Sequence, residues 1–355
     1  MRHWSTIAPL LAAALLGAAA VLPASAALSA LCGLALVGAV LAAVHHAEVV
    51  AHKVGEPLGT LVLALAVTII ETSLILSMML AGGPDKAVLA RDTVYAAVMI
   101  ICNGVIGLCI LVGGLRHREQ SFRIEGAGPA FAALVALATL VLVLPGFTTS
   151  APGPAYSPSQ LAFAGLASLV LWGVFVFVQT VRHRDYFLPT DAAASEGVHL
   201  PPPTALAAWV SGGLLLVSLV GVVGLAKVLS PRIEAAVLAA GAPDAVIGIA
   251  IAMLVLLPET VAAVRAARAN RLQTSMNLAL GSALATIGLT IPAVVAASQL
   301  FHLPVVLGLD PKDLVLLSLT FIVGAVTLGP GRTSIMQGAV HLVVFAAFLF
   351  LSLVP

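Results

Sequence analysis

Two glutamates stand where charge is hardest to keep. Glu71 is the only charged residue between positions 59 and 84, and Glu259 is the only one between 245 and 264. Their surroundings, Ala66-Val67-Thr68-Ile69-Ile70-Glu71-Thr72 and Val255-Leu256-Leu257-Pro258-Glu259-Thr260, are otherwise apolar or hydroxyl-bearing. An ionised group at the centre of a bilayer costs about 2.5 to 3.5 kcal/mol even on lenient insertion scales. A carboxyl kept there is expected to be protonated, paired or bound to a cation. Protons and metal ions compete for carboxylate oxygens, because loss of water favours the neutral acid and a nearby cation favours the ionised form. Such competition exchanges one for the other: two carboxylates can trade two protons for a divalent ion, or one proton for a monovalent ion. The plain alternative is a hydrogen-bonded packing acid, although no Lys or Arg shares either run at that depth.

A calcium ion takes about six to eight oxygen ligands, more than two carboxylates can supply. Thr68, at i−3 from Glu71, shares its helix face. Pro258 has no N–H for the Leu254 carbonyl, leaving that oxygen available beside Glu259. Ser282 and Thr286 stand at i, i+4 on one face, and Asn103 lies at the equivalent depth in the other half of the chain. Packing hydrogen bonds between helices would account for Asn103 and Ser282 equally well, and they account for Thr286 better. The expected cation- and proton-binding set is therefore Glu71, Glu259, Thr68, Asn103, Ser282 and the Leu254 carbonyl, with Glu71 and Glu259 touching the metal. A second polar group gathers His45, His46, Glu48, His52 and Glu56. Histidine titrates near neutrality, so His46, His52 and Glu56 suit a cytoplasmic access funnel or a pH sensor; an amphipathic helix end at the interface fits the same pattern.

The elements that hold these residues emerge from composition. The 355 residues are 61% hydrophobic and 9% charged with a mean hydropathy of +1.14, against about 25% charged in soluble domains. A water-soluble fold is excluded. The net charge of +1 offers no basic face for nucleic acid. Cys32, Cys102 and Cys109 lie in apolar runs without metal-ligand spacing and read as packing residues. No cofactor is expected, and the partners are membrane lipids together with the transported cations and protons.

A spanning helix needs about 20 apolar residues. Cutting at charges and at Pro, Gly and Ser clusters gives about eleven segments: 7–21, 27–50, 60–81, 93–115, 128–144, 160–181, 204–226, 245–264, 274–300, 314–328 and 334–354. On alternating sides, eleven of the 16 Lys and Arg fall on one face and five on the other. The positive-inside rule then puts the N-terminus in the cytoplasm and the C-terminus outside. Residues 1–26 form an N-terminal helix whose end, Leu22-Pro23-Ala24-Ser25-Ala26, also resembles a signal-peptidase site. The polar stretch 182–203, with Pro201-Pro202-Pro203, reads as a cytoplasmic linker between 27–181 and 204–355. Each of these halves holds five spans. Five is odd, so similar halves would cross the membrane in opposite senses, the inverted-repeat plan of many secondary transporters.

At these residues the sequence resembles the calcium/proton exchanger branch of the cation/calcium exchanger superfamily, of the bacterial calcium (sodium)/proton antiporter type. Residues 46–74, with Gly55-Glu56-Pro57-Leu58-Gly59-Thr60 and Glu71, resemble the first α-repeat. Residues 257–294, with Pro258-Glu259-Thr260 and Asn277-Leu278-Ala279-Leu280-Gly281-Ser282-Ala283, resemble the second. The resemblance implies an all-α integral membrane protein of ten core helices in two inverted halves plus an N-terminal helix. It also implies alternating access around a midplane cation site and an inner-membrane location. Thr68-Ile69-Ile70 and Leu257-Pro258 stand where many relatives carry Gly-Asn, and Asn103-Gly104 replaces Gly-Ser. The expected activity is export of Ca2+, or of Na+ or K+, in exchange for H+. An intramembrane enzyme using the buried acids is the competing reading, but no nucleophile–base pair, metal quartet or phosphate-binding loop is visible in the sequence. A channel would need a repeated polar filter, and only two isolated acidic sites are present.

Overall fold

The structure is a computed structural model that describes residues 3–23, 25–54, 58–188, 203–239, 241, 243 and 245–354. Glu56, Ala24 and the linker from 189 to 202 lie outside the described residues. In lipid every backbone N–H and C=O must be satisfied within the chain, so long apolar runs become helices. The helices are α1 His3–Val21, α2 Ala26–Val54, α3 Leu58–Gly82, α4 Leu89–His117, α5 Ile124–Phe147 and α6 Pro158–Arg182. They continue as α7 Ala205–Ala239, α8 Ala245–Arg268, α9 Leu272–Phe301, α10 Pro311–Leu328 and α11 Ile335–Leu353. Among the described residues nine helices are long and apolar enough to cross a membrane. A tenth, α8, is bent by 53° between Val246–Leu257 and Glu259–Arg268, at Pro258, where a proline breaks the helical hydrogen bonding. In α3 the apolar stretch described is the shorter Leu65–Leu80.

Helix starts are explained by local chemistry. The Ser157 and Ser334 N–H groups each donate to a glutamine three residues on, Gln160 Oε1 at 3.0 Å and Gln337 Oε1 at 2.8 Å, which satisfies one otherwise orphaned N–H at each helix start. Pro311 opens α10 directly after Asp310, at a position where a missing N–H costs nothing.

The described chain gathers into two compact units that draw on both sequence halves. One contains α1, α2, α3 and α7. Within it, Pro9 has no N–H to offer the Ser5 carbonyl one turn earlier in α1. His46 of α2 donates from Nε2 to that carbonyl at 2.8 Å, with its ring fully buried. The proline-opened helix is thus sealed by a side chain of its neighbour.

The other unit contains α4, α5, α6, α9, α10, α11 and α8 from Gly248 onward. Its core runs through Met99, Leu134, Leu142, Met276, Ile287 and Phe348. Helices α4 and α11 meet at glycines. A Cβ on Gly107 would fall 2.8 Å from the His341 Cβ, and one on Gly338 would fall 2.6 Å from the Leu111 backbone nitrogen. Small residues at such seams let membrane helices approach closely. Four π-helical turns interrupt the helices of this unit, at Ile100–Val105, Thr139–Val143, Val178–Arg182 and Thr286–Thr290.

Loop contacts in this unit sort into two sets. In the first, strand β1 Glu119–Ser121 pairs antiparallel with β2 Arg332–Ser334. Gln120 Nε2 donates to the Ala267 carbonyl at 2.9 Å, the Arg123 N–H donates to Gln273 Oε1 at 2.6 Å, and Asn277 Nδ2 donates to the Phe187 carbonyl at 2.6 Å. In the second, the Gly308 N–H donates to the Pro154 carbonyl at 2.9 Å, and Arg91 donates to the Gly308 carbonyl at 3.1 Å. No bond of these two sets joins a loop expected on one face of the membrane to a loop expected on the other.

The glycine seam generates a test. Gly338→Ala should destabilise the protein by about 1 to 3 kcal/mol, because backbone rather than a mobile side chain blocks the new methyl. Gly173→Ala, where nothing lies within 4 Å, should leave thermal unfolding in detergent unchanged. Equal melting of the two variants would contradict the seam.

Candidate cation and proton site

Helix α8 delivers Glu259 immediately after the proline bend. Its carboxylate Oε2 accepts a hydrogen bond from Ser282 Oγ of α9 at 2.5 Å, within the short range of charge-assisted O–H···O bonds. Beside the pair lies a small cavity of about 10 Å3, lined by Ile101 and Val105 of α4, Leu256, Glu259 and Thr260 of α8, and Ala279 and Ser282 of α9. That volume matches about one water-sized body. The surface these residues present to the cavity is apolar, and the Glu259–Ser282 hydrogen bond lies at its edge. Thr260 Oγ1 donates within its own helix, to the Leu256 carbonyl at 2.7 Å.

Glu71 belongs to the first unit, in the middle of α3. It is 2% exposed, and Thr68 and Thr72 beside it are buried as well. Leu65, Ile69 and Leu80 form the exposed side of the same helix. Helical spacing thus gives α3 an apolar outward face and an inward face that carries its acid and both threonines.

The expected residues separate in the structure. Ser282 reaches Glu259. Thr68 accompanies Glu71 on the buried face of α3. Leu254 sits on the limb of α8 before the bend, while Leu256 contributes to the cavity wall. Thr286 begins the π turn of α9 and is buried. Asn103 is fully buried on α4 but does not line the cavity. It donates from Nδ2 to Thr320 Oγ1 at 2.9 Å and meets His341 Nδ1 through Oδ1 at 3.2 Å. Of the expected access residues, His46 is the buried seal on α1, His52 is exposed, and Glu56 lies outside the described residues. His341, Thr320 and Thr327 escaped the sequence reading. The signal for the first was that His341 is the only titratable residue between 333 and 355, the same argument that singles out the two glutamates.

The sodium/calcium exchanger protein family matches residues 24–181 and 210–354, most of the chain including both glutamates. The chain belongs to the sodium/calcium exchanger family. The exchanger is 54% identical to y4hA, a candidate ionic transporter of Sinorhizobium fredii, over 321 residues covering 90% of this chain and 87% of the relative. It is 33% identical to the sodium-potassium/proton antiporter ChaA of Escherichia coli over 353 residues, covering 98% and 95% of the two chains. Among solved structures, YfkE superposes with a TM-score of 0.71 at 19% identity, covering 98% of the exchanger and 99% of that chain; it is a Ca2+/H+ antiporter. The exchanger is accordingly a multi-pass, all-helical membrane protein of a cation-transporting family.

Removing the Ser282 hydroxyl leaves Glu259 without its donor. Ser282→Ala should weaken the apparent affinity for the transported cation about tenfold, the scale of one hydrogen bond to a charged group. The concentration dependence of cation-driven proton movement in vesicles measures this. Ser318→Ala, at an exposed serine bonded only to its own helix through the Leu314 carbonyl, should not change it.

Proposed function

We propose that the exchanger is a secondary active cation/proton antiporter of the plasma membrane, exporting Ca2+, Na+ or K+ in return for H+ by alternating access. The observation that carries this reading is the Glu259 carboxylate, hydrogen-bonded to Ser282 at 2.5 Å beside a cavity with room for one small body. Glu71 and Glu259, one in each repeat, hold either cation or protons. Each acid is costly to ionise away from bulk water unless a cation replaces the lost solvation. Unloading a cation therefore favours uptake of protons, and the reverse. That linkage is the coupling an antiporter needs, since neither carboxylate crosses the membrane empty and charged at low cost. The reading is supported by the functions of the relatives, a sodium-potassium/proton antiporter and a Ca2+/H+ antiporter. The described oxygens around Glu259 are few for a calcium ion, so flux measured side by side with Ca2+, Na+ and K+ identifies the cation.

Everted vesicles with an acidic interior should release protons when the transported cation is added outside. Glu71→Gln and Glu259→Gln should each abolish that release, because the amide cannot take up the exchanged proton. Wild-type exchange in both variants, at normal expression, would overturn the assignment. The N-terminus-inside orientation has its own test. A membrane-impermeant thiol reagent should reach Ser121→Cys only from the cytoplasmic face and Ser150→Cys only from outside, both being exposed positions.

A further inference from the structure

The wall of the Glu259 cavity on the α4 side is made by Ile101 and Val105, and both belong to the π-helical segment Ile100–Val105. A π turn inserts an extra residue and has weaker local geometry than the α-helix around it, so the direction in which its side chains point needs outside support. Asn103 supplies that support from between the two wall residues.

The hydrogen-bond roles around Asn103 are fixed by counting donors. Thr320 has one hydroxyl hydrogen, and of its two acceptors the Leu316 carbonyl at 2.8 Å is stronger than the Met99 thioether at 3.4 Å; neither is Asn103. Toward Asn103 it therefore accepts, and the partner at 2.9 Å is Nδ2. This turns Oδ1 to His341, where Nδ1 at 3.2 Å carries the hydrogen; the His341 ring also bonds the backbone of Cys102 in the same π turn. In a neutral ring Nε2 is then the acceptor, and Thr327 donates to it at 3.0 Å. Asn103 and Thr320 are fully buried, and His341 and Thr327 are each 2% exposed. The chain Thr327–His341–Asn103–Thr320 thus links α10, α11 and the π turn of α4 with one consistent assignment of hydrogens. The Gly107–Gly338 seam lies one turn further along α4 and α11 and brings the two backbones close enough for it.

We infer that His341 is a positioning residue of the exchanger: through Asn103 it pins the π turn of α4, and the π turn in turn holds Ile101 and Val105 as a wall of the Glu259 cavity. The inference rests on the reading of that cavity as a cation site. His341 touches neither Glu259 nor the cavity, so its effect has to travel through the backbone of residues 100–105.

The test uses the full-length exchanger in proteoliposomes and two independent measurements. Replacing the ring with one that cannot bond, His341→Phe, should speed amide hydrogen exchange over residues 99–106 while leaving 279–285 unchanged. It should also raise the apparent KM for the transported cation about tenfold, with a smaller change in maximal rate. Exchanging the partners, Asn103→His with His341→Asn, restores a donor–acceptor pair between α4 and α11. It should bring KM back to within about threefold of wild type. If His341→Phe does not reach the membrane, His341→Leu, smaller and equally unable to bond Asn103, carries the same measurements. Unchanged amide exchange over 99–106 would overturn the inference, as would a KM that stays at the wild-type value or a swapped pair no better than the single variant. Full exchange activity in Glu259→Gln would instead defeat the assignment of the cation site, and the amide-exchange result would still report on the pin.

Discussion

A carboxylate removed from bulk water must find oxygen donors, protons or cations close at hand, and the second unit of the exchanger is arranged around that need at Glu259. The proline bend of α8 presents the acid, Ser282 of α9 donates to it, and α4 closes the remaining side with aliphatic side chains. Apolar walls are part of the chemistry. They keep bulk solvent from the carboxyl, and a low-dielectric wall strengthens any electrostatic interaction the acid makes. The same requirement recurs in the first unit, where Pro9 opens a carbonyl and a buried histidine of the neighbouring helix answers it. In both places a polar group beside a proline is answered by a side chain of an adjacent helix.

Much of this was legible from the residues. The helical segments could be cut at charges and breakers because lipid permits no unsatisfied backbone; of the eleven expected, nine are helices long and apolar enough to span among the described residues, α8 is bent, and the apolar stretch described in α3 is shorter. The isolation of Glu71 and Glu259 in apolar runs marked them without any coordinates. Ser282 stands out as a hydroxyl in the apolar span after Glu259, with packing an equal reading, and its hydroxyl bonds that carboxylate.

Other features depend on geometry that a one-dimensional pattern does not carry. Asn103 was placed near the acid by its depth, yet its direction is set by a π turn, and the insertion of one residue rotates the downstream helix by roughly 100°. No residue type in Ile100–Val105 announces that insertion. The grouping of α7 with α1, α2 and α3 joins segments from both ends of the linker, since which helices cluster is decided by packing between distant segments. His341 was readable in principle as a lone titratable group in an apolar helix, but only its partners show that it bonds along a chain of side chains rather than simply filling space.

The ribbon of β1 and β2 has a mechanical consequence. It fastens the end of α4 to the start of α11, the glycine seam joins the same two helices further in, and the asparagine–histidine bond ties them at a third level. Fixed at three heights, this antiparallel pair resists shear along its length. Any rearrangement during a turnover must carry α4 and α11 as a single strut, and the compliance has to come from helices with fewer such fastenings.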